Sequence, residues 1–184
     1  SGDDLEKAAC RLLEQLPAQG LQHVFVMSDG LNVNGTELTR GLNKVHPSFS
    51  MSGGMAGDGQ RFEHTWIVDK GIPYQNRIVA IGFYGDELSV STGCYAGWSA
   101  FGADRVVTRS EGNVLYELDG SPALDLYKSY LGEFASDLPY SGLRFPLSIR
   151  VTAESPEIIR TLLAIDEDNK TITFAGDIPE GAMA

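Results

Sequence analysis

The feature that most constrains this chain is a glycine-rich segment, residues 53–59, in which four of seven positions are glycine. A short strand pattern at residues 49–52 precedes it, and another strand pattern begins at Phe62. Because glycine lacks a Cβ, the segment can turn sharply and bring its backbone N–H groups close to a ligand or to other backbone. It has neither the Lys-Ser/Thr ending of a P-loop nor the G-x-G-x-x-G spacing of a dinucleotide fold. It therefore predicts either a tight connection or a loop that receives a small ligand.

The residues before this segment predict alternating helices and strands. Apolar residues recur at helical spacing from Leu5 to Leu16, and the continuous apolar run at 24–27 is typical of a strand covered on both faces. Asn34 is a suitable N-cap for a second helix, with Glu37 placed as in a capping box. We therefore expect helix, strand, helix and strand, with the two strands parallel and joined by a right-handed crossover.

After the glycine segment the pattern becomes antiparallel. Polar and apolar residues alternate from Phe62, the turn residues 69–71 follow, and strand patterns occupy 77–84 and 88–95. The fold class is therefore α+β, with a βαβ-like start followed by an antiparallel meander. The strands should form a mixed sheet or two stacked sheets with flanking helices. Phe25, Ile81 and Val90 are expected to be buried between these elements.

The last third of the chain mixes strands with one helix. Ser121 is the expected N-cap of that helix, with Pro122 as its first residue and Gly132 at its end. Short strand patterns follow from Leu147 onward. We expect this tail to be incompletely packed and to leave an open sheet edge.

Composition excludes several classes of function. The chain has 184 residues, 42% of them hydrophobic, which is enough for a sizeable core. Its formal charge of −11 argues against nucleic acid as a partner and against an anionic membrane surface. No apolar run is long enough to span a bilayer, so no membrane insertion is expected. The two cysteines form no metal or disulfide pattern, and a cytoplasmic location fits them.

Polar residues at the ends of the two parallel strands are candidates for chemistry. Such loops are where α/β folds place ligands, so Asp29, Asn32 and Asp58 are expected to converge on one rim. Two carboxylates and an amide suit Mg²⁺ or the ammonium of an amino acid. One alternative function is therefore a metal-dependent hydrolase that uses Asp29 and Asp58. The other alternative is structural, with Asp29 starting an Asx turn and capping backbone donors.

The glycine segment and Trp98 complete the expected binding site. Bare N–H groups at Gly53, Gly54 and Gly57 lie beside Asp58, and Trp98 offers an apolar wall within a glycine-bracketed loop. One concave pocket lined by these residues, Asp29 and Asn32 would suit a ligand that carries both an ammonium and a carboxylate.

The three histidines leave a further alternative open. His64 shares a strand face with aromatic residues, where an imidazole is able to ligate a heme iron. His23 stands at a strand start and His46 at a helix end. A packed histidine is the competing interpretation for each of them.

Four groups of residues follow one another along the chain: Gly53-Gly54-x-Ala56-Gly57-Asp58 with Arg61-Phe62, then Gly97-Trp98-Ser99-x-Phe101-Gly102, then Val107-Thr108, and last Asp119-Gly120-Ser121-Pro122-Ala123-Leu124 with Tyr127. In this order they resemble the FIST sensory domain, although Ala100 stands where family members typically have proline. On this resemblance residues 1–120 correspond to the later part of the N-terminal module. Residues 121–184 correspond to the beginning of the C-terminal module, truncated at its end.

The resemblance implies a sensory function without catalysis. FIST domains are similar to small-ligand sensors of bacterial signal-transduction proteins, with amino acids proposed as ligands. Their partners are output domains such as histidine kinases or cyclic-dinucleotide enzymes. Some members bind heme, so a heme-based gas sensor is a further alternative, with no histidine of this chain matched to the iron.

Overall fold

The computed structural model describes residues 2–45, 49–95 and 97–184, which divide into two compact units. The first unit ends at residue 95 and the second comprises the rest of the chain. Each unit has its own cluster of buried hydrophobic residues. Three α-helices and twelve strands lie within the described residues, in antiparallel and mixed sheets, which confirms the α+β class.

The first unit begins with the alternating elements that the sequence predicts. Its strands β1 and β2 pair in parallel, and β5 pairs antiparallel with β1, so the sheet order is β2-β1-β5. The elements are α1 (Gly2–Glu14), β1 (Leu21–Ser28), α2 (Gly35–Val45), β2 (Ser50–Met55), β3 (Ile67–Asp69), β4 (Ile72–Tyr74) and β5 (Ile78–Tyr84).

The two helices cover one face of this sheet. Strand side chains alternate between faces, so Val24 and Val26 share a face and are both buried. They belong to the same core cluster as Ala9 and Leu13 of α1 and Leu42 of α2. Burial of these apolar stripes is the main source of stability in the first unit.

Burial on the opposite face differs from the expectation. Ile81 is 44% exposed, and Phe25 and Val90 are only half-buried, so their predicted burial is wrong. Phe25 and Ile81 are cross-strand partners, and they lie on the face that α1 and α2 do not cover. Strand β5 pairs with β1 rather than with the β3–β4 hairpin, and residues 88–95 do not form the predicted strand.

Close backbone contacts explain part of the glycine content. Gly53 and Gly54 belong to β2 rather than to a loop. A Cβ at Gly53 would lie 2.0 Å from the carbonyl oxygen of Val26, and one at Gly30 would lie 1.9 Å from that of Ala56. Gly57 has open space where its Cβ would be. Two of these glycines are therefore required by strand packing.

The second unit is built around an antiparallel sheet of order β11-β12-β7-β6, with β8 on β7 and a separate β9–β10 pair. Residues 181–184 connect the two sheets, because Met183 bridges to Val106 on one side and to Arg150 on the other. The elements are β6 (Val107–Glu111), β7 (Val114–Leu118), β8 (Ser121–Pro122), α3 (Ala123–Leu131), β9 (Leu147–Ile149), β10 (Ile158–Arg160), β11 (Leu162–Asp166) and β12 (Thr171–Phe174), with 3-10 helices at Gly132–Asp137 and Tyr140–Leu143.

Helix α3 ends as expected but begins differently. Gly132 is its C-cap with a φ of 57°, in agreement with the prediction. Ser121 is not the N-cap, because Ser121 and Pro122 pair with β7 as a short strand and the helix begins at Ala123. The pairing of Ser121 and Pro122 with β7 positions the chain at the start of the helix, and no side chain caps the helix there.

The tail of the chain is well packed, so the expected incomplete packing is wrong. Ile149, Leu162, Ile172 and Phe174 are all at most 1% exposed and belong to one core cluster. Within the described residues β10 and β11 each pair on one side only. Their other sides are open sheet edges, as predicted. None of the described helices combines the length and apolarity needed to cross a bilayer.

Candidate functional site

Asp29 lies directly after β1 and is fully buried. Its Oδ1 accepts hydrogen bonds from the backbone N–H groups of Leu31 at 2.8 Å and Asn32 at 2.9 Å. Its Oδ2 accepts the N–H of Asn76 at 2.9 Å, and the Asn32 side chain donates to both oxygens at 3.3 Å. Asp29 therefore starts an Asx turn and ties the end of β1 to the segment before β5.

The pKa of Asp29 reflects this arrangement. Burial raises the pKa of the carboxyl, but the backbone N–H groups of Asn32, Asn76 and Leu31 and the Thr65 hydroxyl hold it at about 2. The Thr65 hydroxyl also accepts the N–H of Gly30 at 3.1 Å. Asp29 is thus an ionised structural group whose acceptor sites face the protein's own donors.

Asp58 has a similar role in the turn that follows β2. Its Oδ1 accepts the N–H of Phe62 at 3.0 Å, and its Oδ2 accepts those of Glu63 at 2.9 Å and His64 at 3.1 Å. These bonds, led by that from Glu63, lower the pKa of the carboxyl. Within the described residues no group of three or more His, Cys, Asp or Glu side chains is arranged to hold a metal ion.

A small surface depression of about 270 Å³ lies beside this turn. Its lining includes Gly57, Asp58, Arg61, His64 and Trp66. Of the other predicted site residues, Asp29 and Asn32 contact each other at the end of β1, and Gly53 and Gly54 lie in β2. Trp98 belongs to the second unit, so the single pocket expected from these residues stays a prediction.

The histidines occupy different environments. His23 is buried, and its two ring nitrogens lie 2.7 Å from the Ser50 hydroxyl and 2.9 Å from the Ser52 hydroxyl. Its ring also contacts Phe83 in a tilted arrangement, with 5.9 Å between centroids. His64 is exposed, and His46 lies outside the described residues. The geometry at His23 is that of a packed histidine whose hydrogen-bonding groups are satisfied.

A cleft of about 210 Å³ lies entirely within the second unit. Its floor is formed by residues of the core, among them Leu115 of β7, Ile149 of β9 and Phe174 of β12. Tyr127 and Tyr130 of α3 form one wall. A concave apolar surface with a few polar groups is typical of small-molecule sites.

The segment 98–105 forms the rim of this cleft. Trp98 donates its indole N–H to the backbone oxygen of Arg144 at 3.1 Å. Phe101 packs edge-on against Tyr130, with 5.9 Å between ring centroids. Trp98 is 50% exposed and Phe101 71% exposed, so both rings present apolar surface at the mouth.

Three arginines also line the cleft. Arg105 donates to Asp119 at 3.1 Å and to the Tyr130 hydroxyl at 3.0 Å. Arg150 donates to Asp104 at 2.7 Å. The Nε atoms of Arg105 and Arg150 are buried without a hydrogen-bond partner. Donors of this kind are uncommon in native structures, and they call for an acceptor.

Tyr127 contributes a neutral hydroxyl to the same cleft. It donates to the backbone oxygen of Phe145 at 2.5 Å. Burial raises the pKa of this phenol to about 12, so it stays protonated at physiological pH. It therefore fixes the segment after the 3-10 helices against α3 and adds no charge.

Of the predicted site residues, Trp98 lines this cleft, whereas the three arginines and Tyr130 were not predicted from the sequence. The composition offers a signal that could have pointed to these arginines, because the chain has only 14 Lys and Arg against 25 Asp and Glu. In such an acidic chain, arginines that border short apolar strand patterns are notable. Arg105 and Arg144 precede such runs, and Arg150 follows one.

Comparison with protein-family models assigns nearly the whole chain. Residues 1–121 match the model described as the FIST N domain, and residues 123–184 match the model described as the FIST C domain. No curated protein and no solved structure matches the chain significantly. The boundary between the two matches falls inside the second unit, where β7 from the first match pairs with β12 from the second.

Proposed function

Because the chain belongs to the FIST family, whose domains are sensory domains of signal transduction, we propose that it senses a small molecule bound in the cleft of the second unit. An amino acid is the ligand class that the family resemblance implies. The ligand's effect would pass to an output domain or partner, such as a histidine kinase or a cyclic-dinucleotide enzyme.

The cleft itself is the observation that carries this proposal. It combines an apolar floor, aromatic rings at the mouth and arginine side chains on its walls. The apolar surface would bind the body of a ligand, and the guanidinium groups would bind an acidic group through charge-assisted hydrogen bonds. Asp29 and Asp58 already accept backbone N–H groups, so they offer less to a ligand than the cleft does.

Signalling by such a domain requires a difference in affinity between two states. A ligand shifts an equilibrium only by the ratio of its affinities for the two conformations. The rim segment 98–105 is a suitable element, because the hydrogen bond from Trp98 to Arg144 and the contact of Phe101 with Tyr130 secure it at separate points. In this proposal a bound ligand stabilises the rim, and the output domain responds to that stabilised state.

A second candidate site is the depression beside Gly57 and Asp58. The observation that favours it is its mixed lining, in which Arg61 and Trp66 stand beside the glycine segment. Gly57 has open space at its Cβ position, so a ligand is able to approach the backbone from that side.

The two tryptophans of the chain allow one experiment to separate the sites. Trp98 and Trp66 are similarly exposed, at 50% and 53%, and they line different depressions. Trp66→Phe leaves Trp98 as the single reporter, and Trp98→Phe leaves Trp66. Titration of both variants with a panel of amino acids, followed by tryptophan emission and calorimetry, tests the proposal.

We expect the Trp66→Phe protein to change emission on binding and to keep wild-type affinity. The Trp98→Phe protein should show weaker binding and little change in emission. The reverse pattern would place the ligand beside Gly57 and Asp58. Absence of calorimetric heat with every ligand in both proteins and in wild type would overturn the sensing proposal for this panel.

A further inference from the structure

We propose that the cleft of the second unit recognises the carboxylate of an apolar organic acid and does not require an ammonium group on the ligand. This inference rests on the proposed function and specifies the ligand chemistry of the same site. It goes beyond the amino-acid expectation, because it assigns recognition to the acid group alone.

Arg144 is the arginine of the cleft that has the greatest capacity to bind a ligand acid. It lines the cleft, and within the described residues no carboxylate lies within ion-pair distance of its guanidinium. The guanidinium lies 5.7 Å from the centroid of the Tyr140 ring. The backbone oxygen of Arg144 accepts the indole N–H of Trp98, so the main chain of Arg144 is held beside the aromatic rim. A guanidinium without a carboxylate partner is free to form a bidentate pair with a ligand acid.

Arg105 and Arg150 add two further guanidinium groups to the cleft. The Nε–H groups of Arg105 and Arg150 face away from solvent and have no acceptor. Both residues line the cleft, and the rest of each guanidinium is held by Asp119 or Asp104. Because these Nε atoms have almost no accessible surface, a ligand would contact the exposed parts of the two side chains, which are 37% and 31% exposed, rather than the Nε–H groups.

An ammonium on the ligand would need a free acidic side chain in the cleft. The acidic side chains of the lining are Asp104 and Glu157, and both face Arg150, at 2.7 and 4.0 Å. An ammonium would therefore compete with an existing ion pair. Arg105 also pairs with Asp119, so Arg144 is the one arginine of the lining without a carboxylate partner among the described residues. Its unpaired charge favours an anion over a cation.

The remaining lining fixes the body of the ligand as apolar. Phe101, Tyr130 and the core residues of the floor offer apolar contact surface. A short acid with a ring or a branched chain would place its carboxylate at Arg144 and its body over this surface. Three commercially available compounds share one ring and differ only in charged groups, so they isolate the acid from the ammonium.

The experiment titrates the whole chain calorimetrically with 3-phenylpropionate, L-phenylalanine and phenethylamine. These carry the carboxylate alone, both groups, and the ammonium alone. We expect 3-phenylpropionate to bind at least as tightly as L-phenylalanine, and phenethylamine to bind at least about tenfold more weakly than either, since a charge-assisted hydrogen bond is lost. Equal affinity for phenethylamine and 3-phenylpropionate would overturn the inference, as would a tenfold preference for L-phenylalanine.

Variants test the residue assignment. Arg144→Gln should weaken 3-phenylpropionate by about tenfold to a hundredfold, and it should not weaken phenethylamine, because the removed charge repels an ammonium. Arg144→Lys should recover part of the affinity, because it restores the charge without the planar fork. Arg109→Gln is the matched control: this exposed arginine of β6 pairs with Glu117 and does not line the cleft, so the variant should bind like wild type. Equal losses in the Gln variants of Arg109 and Arg144 would reject the role of Arg144.

Failure of the inference and failure of the proposed function give different results. If the amino-acid panel described above binds but the carboxylate series shows no preference, the sensing function stands and the carboxylate assignment falls. If neither the panel nor any of the three compounds binds, both are overturned for this cleft. Thermal melting of each variant checks that the exposed substitution at residue 144 has left the fold intact.

Discussion

The end of β1 in the first unit and the cleft in the second unit use charged side chains in opposite ways. Asp29 is buried with its oxygens facing backbone N–H groups of the same protein, and Asp58 caps the next turn in the same manner. In the cleft, Arg144 has no carboxylate partner among the described residues, and two guanidinium Nε atoms lack acceptors. The two carboxylates are satisfied by the fold, whereas Arg144 retains the capacity to bind a ligand acid.

This difference shows why residue type and strand position alone do not identify a site. A carboxylate at the end of a parallel strand is a candidate ligand group, but the same position is where backbone N–H groups need an acceptor. What distinguishes the two roles is the number of hydrogen bonds that the folded chain already supplies. The predictions below test that distinction.

The largest expected effect concerns which segment carries the cleft. A fragment of residues 97–184 should fold and melt cooperatively, because it contains the whole core cluster of the second unit. A fragment of residues 123–184 should not, because it loses Val107, Leu115 and Leu118 of that core. Near-ultraviolet circular dichroism and thermal melting measure this. A cooperative transition in the shorter fragment would show that residues 97–122 are not required for the second unit to fold.

Substitution of Asp29 should be the most damaging single change among the charged residues compared here. Asp29→Ala leaves the buried N–H groups of Leu31, Asn32 and Asn76 without an acceptor, which should lower the free energy of unfolding by about 3 kcal/mol. Arg144→Ala should change it by less than about 0.5 kcal/mol, because that residue is exposed. Urea unfolding of both variants makes the comparison. A stable Asp29→Ala protein would return Asp29 to the candidates for ligand binding.

Gly53 lies in close contact with a neighbouring strand, whereas Gly57 has open space around it, so alanine substitutions at the two positions should differ in effect. Gly53→Ala should destabilise the first unit by about 1 to 3 kcal/mol, because its Cβ would meet the Val26 carbonyl oxygen at 2.0 Å. Gly57→Ala should stay within about 0.5 kcal/mol of wild type, because open space surrounds its Cβ position. Thermal and urea unfolding of the pair give the difference. Equal stability of the two variants would contradict the close approach of β1 and β2.

Acid should reveal the structural role of Asp29 through an effect no larger than that of the glycine substitution. Its folded-state pKa, about 2, is lowered from 3.8, so its contribution is fully present above pH 3.8 and is lost as the pH falls through about 2. That contribution is about 2 kcal/mol. The stability gap between wild type and Asp29→Asn should therefore shrink between pH 5 and pH 2, as measured by urea unfolding. A gap that is constant across this range would show that the carboxylate charge is not what the backbone donors stabilise.

Much of the fold was accessible from sequence because local patterns carry it. The helical spacing of apolar residues placed α1, the apolar run at 24–27 placed β1, and Gly132 ended α3. The exposure of Ile81 could not be predicted from the sequence. Alternation shows that a strand has two faces, but it does not show which of them the helices cover. The pairing of β5 with β1 could not be predicted either. The local sequence of a strand is the same whether its partner is a nearby hairpin or a strand distant in sequence.

The candidate site was accessible only in part. Trp98 was identified because a large aromatic residue between glycines is unusual. The arginines come from three segments that tertiary structure brings to one cleft, and no spacing in the sequence joins residues 105, 144 and 150. Whether a carboxylate is free or capped depends on backbone N–H groups such as that of Asn76, which is remote from Asp29 in sequence.

The bridge made by residues 181–184 has a consequence for how this protein is synthesised. The segment pairs with Val106 and Arg150 at once, so the edge of the sheet beside β6 closes only with residues that emerge from the ribosome long after β6 itself. Contacts between residues so distant in sequence slow folding, because loop-closure entropy is spent before they form. During that interval β6 presents unpaired backbone groups to other nascent chains. Translation speed and chaperone supply should therefore influence the yield of this protein through one short strand.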